Sequence, residues 1–407
     1  MPLSDLQIQT LARDAVQRAA AGDFAGAEPL LAQVAEARPN SGQALHLLGQ
    51  ARLKLGRFAE AREPLERAAK FLPMEAAAQV NLAGCLSVLG DHATALAALD
   101  RAQRLKPGDA AIAHNKGRAL EALGRLDEAE HAFNEALSID HRLMPSLSAR
   151  ANLLEKRGDW MGALTDLDMA LTSRPNDPHL RLRRGELLLR QGDWLRGLGD
   201  YEARLEIAGD RYAPALPRWQ GEPLTGRLLV YPEQPDIESD AALRDTLMLA
   251  RGVEAIVQCA PKLAKWLTMP TIDRGAALDG FAAAAPLRSL PHLLGWALDS
   301  LPPLVPTRRP EPSPRIGWFS QADPPAGVDI ERNTDELTRC RFVVGDDAWP
   351  AHLAARLAIP TIVLLPRIGD WLWGPRLGPS PWYPSAELLA ADDAEVLASR
   401  LKTIASP

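Results

Sequence analysis

A ladder of six glycines constrains the first half of this chain more than any other feature. They recur every 34 residues, at Gly22, Gly56, Gly90, Gly124, Gly158 and Gly192. A small residue follows each glycine five positions later, at Ala27, Ala61, Ala95, Ala129, Ala163 and Gly197. A large apolar or aromatic residue comes four positions after that, at Leu31, Leu65, Leu99, Phe133, Leu167 and Tyr201. Three columns with one period predict a tandem repeat from residue 8 to about residue 211.

The chemistry of the three columns predicts a pair of helices in each repeat. A glycine between two amphipathic stretches is typical of a helix C-terminus, where a positive φ is needed. The small column lets two helices approach closely, and the large column fills the space beside it. A single repeat cannot bury its apolar face, so neighbours are expected to stack into a superhelix with a concave groove. The pattern resembles the tetratricopeptide repeat, a helix–turn–helix unit.

The composition changes after the repeats. Of the 34 prolines only 9 precede residue 206, and all tryptophans except Trp160 and Trp194 lie beyond it. Short apolar runs then alternate with helix-like stretches, which predicts parallel βαβ units. Strands are predicted at 227–232, 254–259, 315–320, 341–345 and 361–366, and helices at 241–251, 261–267, 349–358 and 387–404.

These observations predict an α + α/β chain with two domains and two connecting segments. An all-α repeat domain of about six units is expected over residues 1–211, followed by a linker at 212–226. A first α/β lobe is expected over 227–300 and a second, shortened lobe over 315–407. The proline-rich stretch 301–314 forbids regular structure and is expected to separate the lobes.

Residues 217–405 resemble the glycosyltransferase-like domain that follows tetratricopeptide repeats in many bacterial proteins. The matching words include PRWQGEPLTGRLLVYPEQ (217–234), VVGDDAWPAHLAARLAIPTIVLLP (343–366) and SPWYP (380–384). The resemblance implies a Rossmann-like, two-lobed GT-B domain related to heptosyltransferases and O-GlcNAc transferases, with a nucleotide-sugar as donor. It marks Glu233, Asp347 and His352 as catalytic candidates. It also marks a candidate donor pocket at Asp370, Trp371, Trp382 and Tyr383.

The chain departs from this family where a nucleotide would bind. The family has an E-Q-G-x-G-D loop after the first strand, whereas this chain continues from Gln234 as PDIESD, without glycine. Asp236, Glu238 and Asp240 in that loop would repel a diphosphate. The interval between the runs at 315–320 and 341–345 is also several times shorter than in the family, which leaves a three-strand remnant. A reduced, GT-B-derived domain is therefore expected.

Each candidate residue has a structural alternative. His352 is either a general base or donor contact, or a hydrogen-bonded structural histidine. Asp347 either holds a ribose or a proton, or caps the helix that follows it. Asp370 and Trp371 either frame a sugar or pack one lobe on the other. Glu233 lies at the carboxyl end of a strand, where α/β folds bind ligands, but the loop after it lacks the glycines that would favour a ligand site there.

The repeat groove offers a second kind of site. The resemblance implies that the first helix of each repeat lines the concave face, and spacing places a set of polar residues there: Asn81, Asn115, Arg118, Glu121, Asn152, Glu155, Glu186 and Arg190. Such a set is either a solvated polar face or a binding surface. Because solenoids present extended surfaces to partners, binding of a peptide or protein is the preferred interpretation.

Charge and cysteine usage exclude several function classes. A net charge of −6 and a pI near 5.8 argue against nucleic acid as the main partner. Cys85, Cys259 and Cys340 lie far apart without metal-ligand spacing, so no metal site is predicted. No apolar run approaches the roughly 20 residues of a membrane span, and no signal peptide is recognised, so a cytoplasmic protein is expected.

The sequence thus favours a protein-binding scaffold or adaptor with a degenerate transferase-like domain, and no cofactor. Enzymatic activity stays open. One alternative is an active protein O-glycosyltransferase with a nucleotide-sugar donor, and another is a sensor that binds a nucleotide-sugar without transfer.

Overall fold

The computed structural model describes residues 3–209, 211–302, 315–321, 324, 330–366, 370–373 and 377–405. Contacts divide the chain into two compact units, Met1–Arg174 (unit 1) and Pro175–Pro407 (unit 2). Most of the linker predicted at 301–314 lies outside the described residues. None of the helices in these ranges is long and apolar enough to cross a membrane.

The described part of unit 1 is built of ten helices in five hairpins. They are α1 (Asp5–Ala20), α2 (Phe24–Ala37), α3 (Gly42–Lys54), α4 (Phe58–Phe71), α5 (Ala76–Val88), α6 (His92–Leu105), α7 (Ala110–Ala122), α8 (Leu126–Ile139), α9 (Met144–Arg157) and α10 (Trp160–Ser173). Each helix packs on the next, and the first helices α3, α5, α7 and α9 also contact one another in sequence. The first helices therefore form one layer of the stack.

The glycine ladder ends the first helix of every hairpin. In unit 1 its five members have φ between 74° and 82°. A Cβ added at any of them would meet no atom within 4 Å. The positive φ alone therefore explains these glycines, as the sequence predicted.

The small and large columns fill the space between the paired helices. Ala27, Ala61, Ala95, Ala129 and Ala163 are fully buried, as are the large residues that follow them. A further small column, which the sequence analysis missed, lies in the first helices at Ala15, Gly49, Ala83, Gly117 and Ala151. A Cβ on Gly117 would lie 2.5 Å from the Phe133 ring, so the helices touch there without room for a methyl group.

Unit 2 begins with the sixth repeat. Its helices are α11 (Pro178–Arg190), α12 (Trp194–Tyr201) and α13 (Ala203–Ala208). Leu189, Trp194 and Leu198 belong to the same buried cluster as residues of the α/β strands and helices. The division by contacts therefore lies one repeat before the end that was predicted at residue 211.

Part of the predicted linker 212–226 is bound to the sheet. The backbone N–H of Trp219 donates to the carbonyl of Ala284 at 2.8 Å, and the Trp219 side chain is buried.

Two mainly parallel sheets follow, as the alternation of strands and helices predicted. The first sheet has the order β3-β2-β1-β4 and is fully parallel; the second has the order β6-β5-β7-β8-β10-β9, with only β9 antiparallel. The strands are β1 (Arg227–Tyr231), β2 (Ile256–Gln258), β3 (Thr271–Ile272), β4 (Phe281–Pro286), β5 (Ile316–Phe319), β6 (Ile330–Glu331), β7 (Phe342–Asp346), β8 (Thr361–Leu365), β9 (Gly378–Pro379) and β10 (Ala386–Ala390). The helices are α14 (Asp240–Leu249), α15 (Pro261–Ala264), α16 (Leu290–Leu293), α17 (Trp349–Arg356) and α18 (Ala394–Ala405).

Three predictions about the α/β part were wrong. The helix predicted at 387–404 begins only at Ala394, because Ala386–Ala390 forms strand β10 beside β8. The second sheet therefore has six strands among the described residues, not three. The helix predicted at 261–267 ends at Ala264. Both β10 and the missed strand β4 (FAAAAP) are rich in residues with low strand propensity, and pairing with β8 and β1 respectively overrides that propensity.

Candidate functional site

The candidate catalytic residues lie after the carboxyl ends of parallel strands in unit 2. Glu233 follows β1 and Asp347 follows β7, while His352 is on the helix α17 that begins after β7. This edge of a parallel sheet is where α/β folds usually bind ligands. In this chain Arg204, Arg244 and Arg288 donate hydrogen bonds to carboxylates that lie there.

Five charged residues of unit 2 are linked to one another by ion pairs, and we call them the ion-pair network: Arg244, Asp245, Arg288, Asp347 and Asp370. Arg244 donates to Asp347 at 3.1 Å and to Asp370 at 2.7 Å. Arg288 donates to Asp245 at 2.7 Å and to Asp370 at 3.0 Å. Asp245 is 1% exposed, and the other four side chains are at most 19% exposed. The acidic side chains of the network therefore face guanidinium groups.

The network determines the ionisation of its carboxyl groups. Burial raises the pKa of Asp245, but the guanidinium groups of Arg288 and Arg244 outweigh it and hold that pKa below its usual range. Burial also raises the pKa of Asp347, and the hydrogen bond from His352 and the charge of Arg244 reverse the shift. Both groups are thus carboxylates at neutral pH.

His352 is a buried, neutral histidine. Its side chain is fully buried, with Nε2 2.8 Å from Asp347 Oδ1 and Nδ1 3.2 Å from the Tyr383 hydroxyl. Because Asp347 is a carboxylate and can only accept, Nε2 carries the ring proton and donates to it, and Nδ1 accepts from Tyr383. Burial lowers the pKa of His352, while Asp347 opposes the shift. Asp347 does not cap the helix, since the N-cap is Ala348 and no side chain bonds there. That alternative for Asp347 is therefore wrong.

We expect the stability of unit 2 to fall as the pH drops below about 6.5, the pKa of an unperturbed histidine. Below that pH, His352 is protonated in the unfolded chain. In the folded chain it stays neutral until the pH falls to the lower pKa that His352 has when buried. The loss is at most about 1.4 kcal/mol per pH unit for this one site. Urea unfolding followed by tryptophan fluorescence would measure it, because only Trp160 of the ten tryptophans lies in unit 1.

The matched variants for this pH dependence are His352→Gln and His179→Gln. His179 is an exposed histidine of unit 2, so its variant is expected to keep the slope of the parent protein. His352→Gln should flatten the slope between pH 7 and pH 5. An unchanged slope in His352→Gln would assign the titration to another group.

Glu233 is bound by an arginine of the sixth repeat. The Nε and second terminal nitrogen of Arg204 lie 3.0 and 2.8 Å from Glu233 Oε1. Burial raises the pKa of Glu233 above its usual value, and the charges of Arg204 and Arg288 offset only part of this rise. No signal in the sequence pointed to Arg204, because it lies 29 residues from its partner in another element.

The loop after β1 is held by hydrogen bonds from a distant arginine. Arg274 donates to the carbonyls of Pro232, Gln234 and Pro235 at 2.8–3.0 Å. The N-terminus of α14 is capped by the Ser239 side chain, and Asp240 supplies a negative charge in its first turn. A helix N-terminus with its own acidic residue and cap offers little to a phosphate.

The candidate donor-pocket residues are mostly interior. Trp382 and Tyr383 are at most 1% exposed, and the Trp382 ring packs on Trp194 and Trp296. Asp370 belongs to the ion-pair network, whereas the side chain of Trp371 lies outside the described part.

Two cavities lie at the strand ends. Glu233 lines one of about 640 Å³ with Arg204 and Arg288. Asp347 lines another of about 640 Å³ with Ser320 and Asp346. His352 lines neither, so these two cavities do not bring the three catalytic candidates together. No group of three or more potential metal ligands occurs among the described residues.

The predicted groove residues are divided between the units. In unit 1, Asn115, Arg118 and Asn152 are exposed on first helices. Asn81 is half-buried and lies 2.8 Å from the His46 ring nitrogen, while Glu121 pairs with Lys156 at 3.0 Å. Glu155 is half-buried on α9. Glu186 and Arg190 lie on α11 and belong to unit 2.

Comparison with family models decides the nature of the helical part. A tetratricopeptide-repeat model matches residues 15–73, 48–110 and 148–214, and a second such model matches residues 89–150. Residues 15–214 are tetratricopeptide repeats. The last residue that either model matches is 214, within the segment predicted as a linker.

Solved structures with similarity to this chain include several repeat proteins. A thermophilic TPR protein in Thermus thermophilus is 27% identical over 45% of this chain and 99% of its own, with a TM-score of 0.37. MamA from Desulfovibrio magneticus is 18% identical over 42% and 97%, with a TM-score of 0.40. A tetratricopeptide repeat protein from Parabacteroides merdae is 20% identical over 49% and 79%, with a TM-score of 0.43. No curated protein matches the chain.

Proposed function

We propose that the chain is a protein-binding scaffold whose first-helix surface in unit 1 holds a segment of a partner. We define this surface by Asn81, Asn115, Arg118 and Asn152. Asn81 and Asn115 occupy the same position in successive tetratricopeptide repeats, and Arg118 and Asn152 share a second position. Amide side chains at repeated positions offer donors and acceptors to an extended backbone, and Arg118 adds a positive charge.

We further propose that the α/β part is a degenerate, non-catalytic relative of a glycosyltransferase that serves packing or assembly. The observation that carries this proposal is the pairing of the acidic candidates with arginines. Asp347 and Asp370 are bound by Arg244, and Glu233 is bound by Arg204. His352 has both ring nitrogens engaged and no exposed surface. A general base needs a free lone pair within reach of its substrate.

Site-specific photocrosslinking tests the scaffold. A photoreactive amino acid at position 115 of the full chain is expected to form adducts with a defined partner in a lysate of the source cells. The same residue at position 104, which is exposed on the second helix α6, should not. Arg118→Glu should reduce the adduct at least about tenfold, which corresponds to about 1.4 kcal/mol, whereas Arg104→Glu should not. Equal adducts at both positions would contradict a role for the first-helix surface.

A nucleotide panel tests the absence of donor binding. Nucleotides and nucleotide-sugars are expected to leave the melting temperature of the full chain unchanged. A ligand present at about 100 times its Kd would stabilise the protein by about 2.7 kcal/mol and would raise the melting temperature measurably. A shift that Asp347→Ala abolishes would instead support the nucleotide-sugar sensor or the active O-glycosyltransferase, with Glu233, Asp347 and His352 as the next residues to test.

A further inference from the structure

Helix α5 of unit 1 has an exposed apolar face. Val80, Gly84 and Val88 are four residues apart and therefore lie on one side of the helix, and we call them the α5 patch. Val88 is 59% exposed, Gly84 is exposed and Val80 is half-buried. Since α5 contacts both α3 and α7, the patch lies within the layer of first helices, next to the first-helix surface.

Gly84 is a glycine that no described contact requires. Its φ is not positive, and a Cβ at this position would meet no atom within 4 Å. Gly49 and Gly117 differ, because a Cβ added to them would lie 2.4 Å from Leu65 and 2.5 Å from Phe133. A glycine inside a helix lowers its stability relative to alanine. Gly84 bears this cost without a packing reason and leaves room for a ligand to approach the backbone closely.

The α5 patch is a depression between longer side chains. The residues equivalent to Gly84 in the neighbouring repeats are Gln50 of α3 and Arg118 of α7, which are both polar. The layer of first helices is therefore lowest at Gly84, with Val80 and Val88 before and after the gap along α5. An apolar side chain placed in the gap would be removed from water together with the two valines, which is favourable.

The charges beside the patch are positive. Helix α5 has no charged side chain, and those of α3 and α7 are Arg52, Lys54, Lys116, Arg118 and Glu121. Three of these five are paired: Arg52 with Glu28, Lys116 with Asp100, and Glu121 with Lys156. Lys54 and Arg118 have no ion pair among the described residues. The nearest unpaired charges on either side of the neutral α5 face are thus cations, which complement an acidic partner.

We propose that the α5 patch and Arg118 bind an extended segment of a partner protein in which an apolar side chain lies two residues from an aspartate or glutamate. The axes of packed helices such as α5 and α7 are about 8–10 Å apart. Side chains two residues apart in an extended segment lie on the same side, about 6.6 Å from each other, and the long Arg118 side chain spans the remainder. The apolar side chain would thus lie over Gly84 while the carboxylate binds Arg118.

The carboxylate belongs to a side chain within the segment. Asn152 continues the first-helix surface beyond Arg118 to α9, so a bound segment extends past the arginine rather than ending there. This inference rests on the proposed scaffold function, to which it adds the chemistry of the bound segment.

Selection of random peptides on the immobilised full chain tests this proposal. The peptides are displayed on phage between two flexible linkers, so that they present no free carboxyl terminus. We expect the selected peptides to share an apolar residue with Asp or Glu two positions away. A selected peptide is then synthesised with blocked ends, and its Kd is measured by fluorescence polarisation. Replacing its apolar residue with serine, or its acidic residue with the corresponding amide, should each weaken binding at least about tenfold.

Two pairs of variants assign the binding to the α5 patch. Gly84→Gln gives α5 the side chain that α3 has at Gln50, so it should fill the depression and weaken the peptide at least about tenfold. Its control is Ala97→Gln, which is exposed on the second helix α6 of the same repeat and should bind like the parent. Arg118→Glu should prefer the peptide with lysine in place of its acidic residue, whereas Arg104→Glu should not. Because glutamine favours helices more than glycine does, Gly84→Gln should melt at no lower temperature than the parent.

The proposal is overturned if the selection yields no binder, if the binders lack the pair of an apolar and an acidic residue, or if Gly84→Gln binds them like the parent. The photocrosslinking experiment separates this failure from failure of the scaffold function. An adduct at position 115 that Gly84→Gln leaves unchanged would keep the scaffold and reject the α5 patch. The lack of any adduct at position 115 would reject both.

Discussion

Replacing Arg288 with methionine is expected to lower the free energy of unfolding of unit 2 by about 3–5 kcal/mol, the usual cost of removing one partner of a buried ion pair. Arg288 contacts Asp245, Asp370 and the Tyr201 hydroxyl through its three nitrogens. Without it, Arg244 is the one cationic partner left to Asp245 among the described residues, and Asp245 is 1% exposed. The attraction that offset the desolvation of this carboxylate is then largely lost.

Urea unfolding followed by tryptophan fluorescence would measure the loss in unit 2. The matched control is Arg341→Met, since Arg341 is exposed in the same unit and should change the stability by less than about 0.5 kcal/mol. The double variant Arg288→Met with Asp245→Asn should recover part of the loss, because the uncompensated charge is gone. If Arg288→Met were no worse than Arg341→Met, the ion-pair network would not be what stabilises this edge of the sheet.

Replacing Gly117 with alanine is expected to destabilise the fourth repeat by about 1–3 kcal/mol, the typical cost of overpacking. The new Cβ would lie 2.5 Å from the Phe133 ring, which is fully buried between α7 and α8. The third and fifth repeats instead have alanine opposite leucine, as Ala83 with Leu99 and Ala151 with Leu167. Adding Phe133→Leu should therefore rescue Gly117→Ala, because it produces the pair that the neighbouring repeats already contain.

Hydrogen exchange of α7 and α8 together with urea unfolding followed by far-UV circular dichroism would measure this cycle in unit 1. The control is Gly124→Ala, which has no atom within 4 Å of the added Cβ but a φ of +74°. Its cost of about 1–2 kcal/mol comes from the backbone alone, so Phe133→Leu should not rescue it. Equal rescue of both glycine variants would show that the contact with Phe133 is not responsible.

The repeats could be predicted from the sequence because their interactions are local and periodic. Each ladder glycine marks a positive φ, and each small column marks a contact between helices that are adjacent in the chain. Neighbouring repeats pack in the same way, so the same residue types recur at the same positions in all six repeats and the pattern can be recognised in the sequence. The column at Gly49 and Gly117 was missed even so, because alanine and glycine alternate in it and it lies inside helices.

The strands of the α/β part were predicted where short runs of apolar residues include β-branched or aromatic ones, as in RLLVY and TIVLL. The strands β4 and β10 were not, because FAAAAP and AELLA carry residues that favour helices. Their conformation is decided by pairing with β1 and β8, at positions far away in the sequence.

The candidate site also contains residues that the sequence identified and residues that only the structure revealed. The sequence and the resemblance singled out Glu233, Asp347, His352 and Asp370. They missed Arg204, Arg244 and Arg288, which bind those carboxylates across 29 to 126 residues of sequence. Arginine is common on surfaces, so its identity alone does not distinguish a buried partner from a solvated side chain.

By itself, the sequence determined the period of the repeats, the ends of their first helices and the change to parallel α/β structure at residue 227. Only the tertiary structure decided that the sixth repeat shares a core with the sheets, and that the acidic candidates are paired with arginines. It also left two buried oxygens, on Glu233 and Gln234, without donors among the described residues. The physical reason is the range of the interactions. Turns and helix pairs are encoded within 34 residues, whereas ion pairs and buried acceptors depend on which distant elements meet.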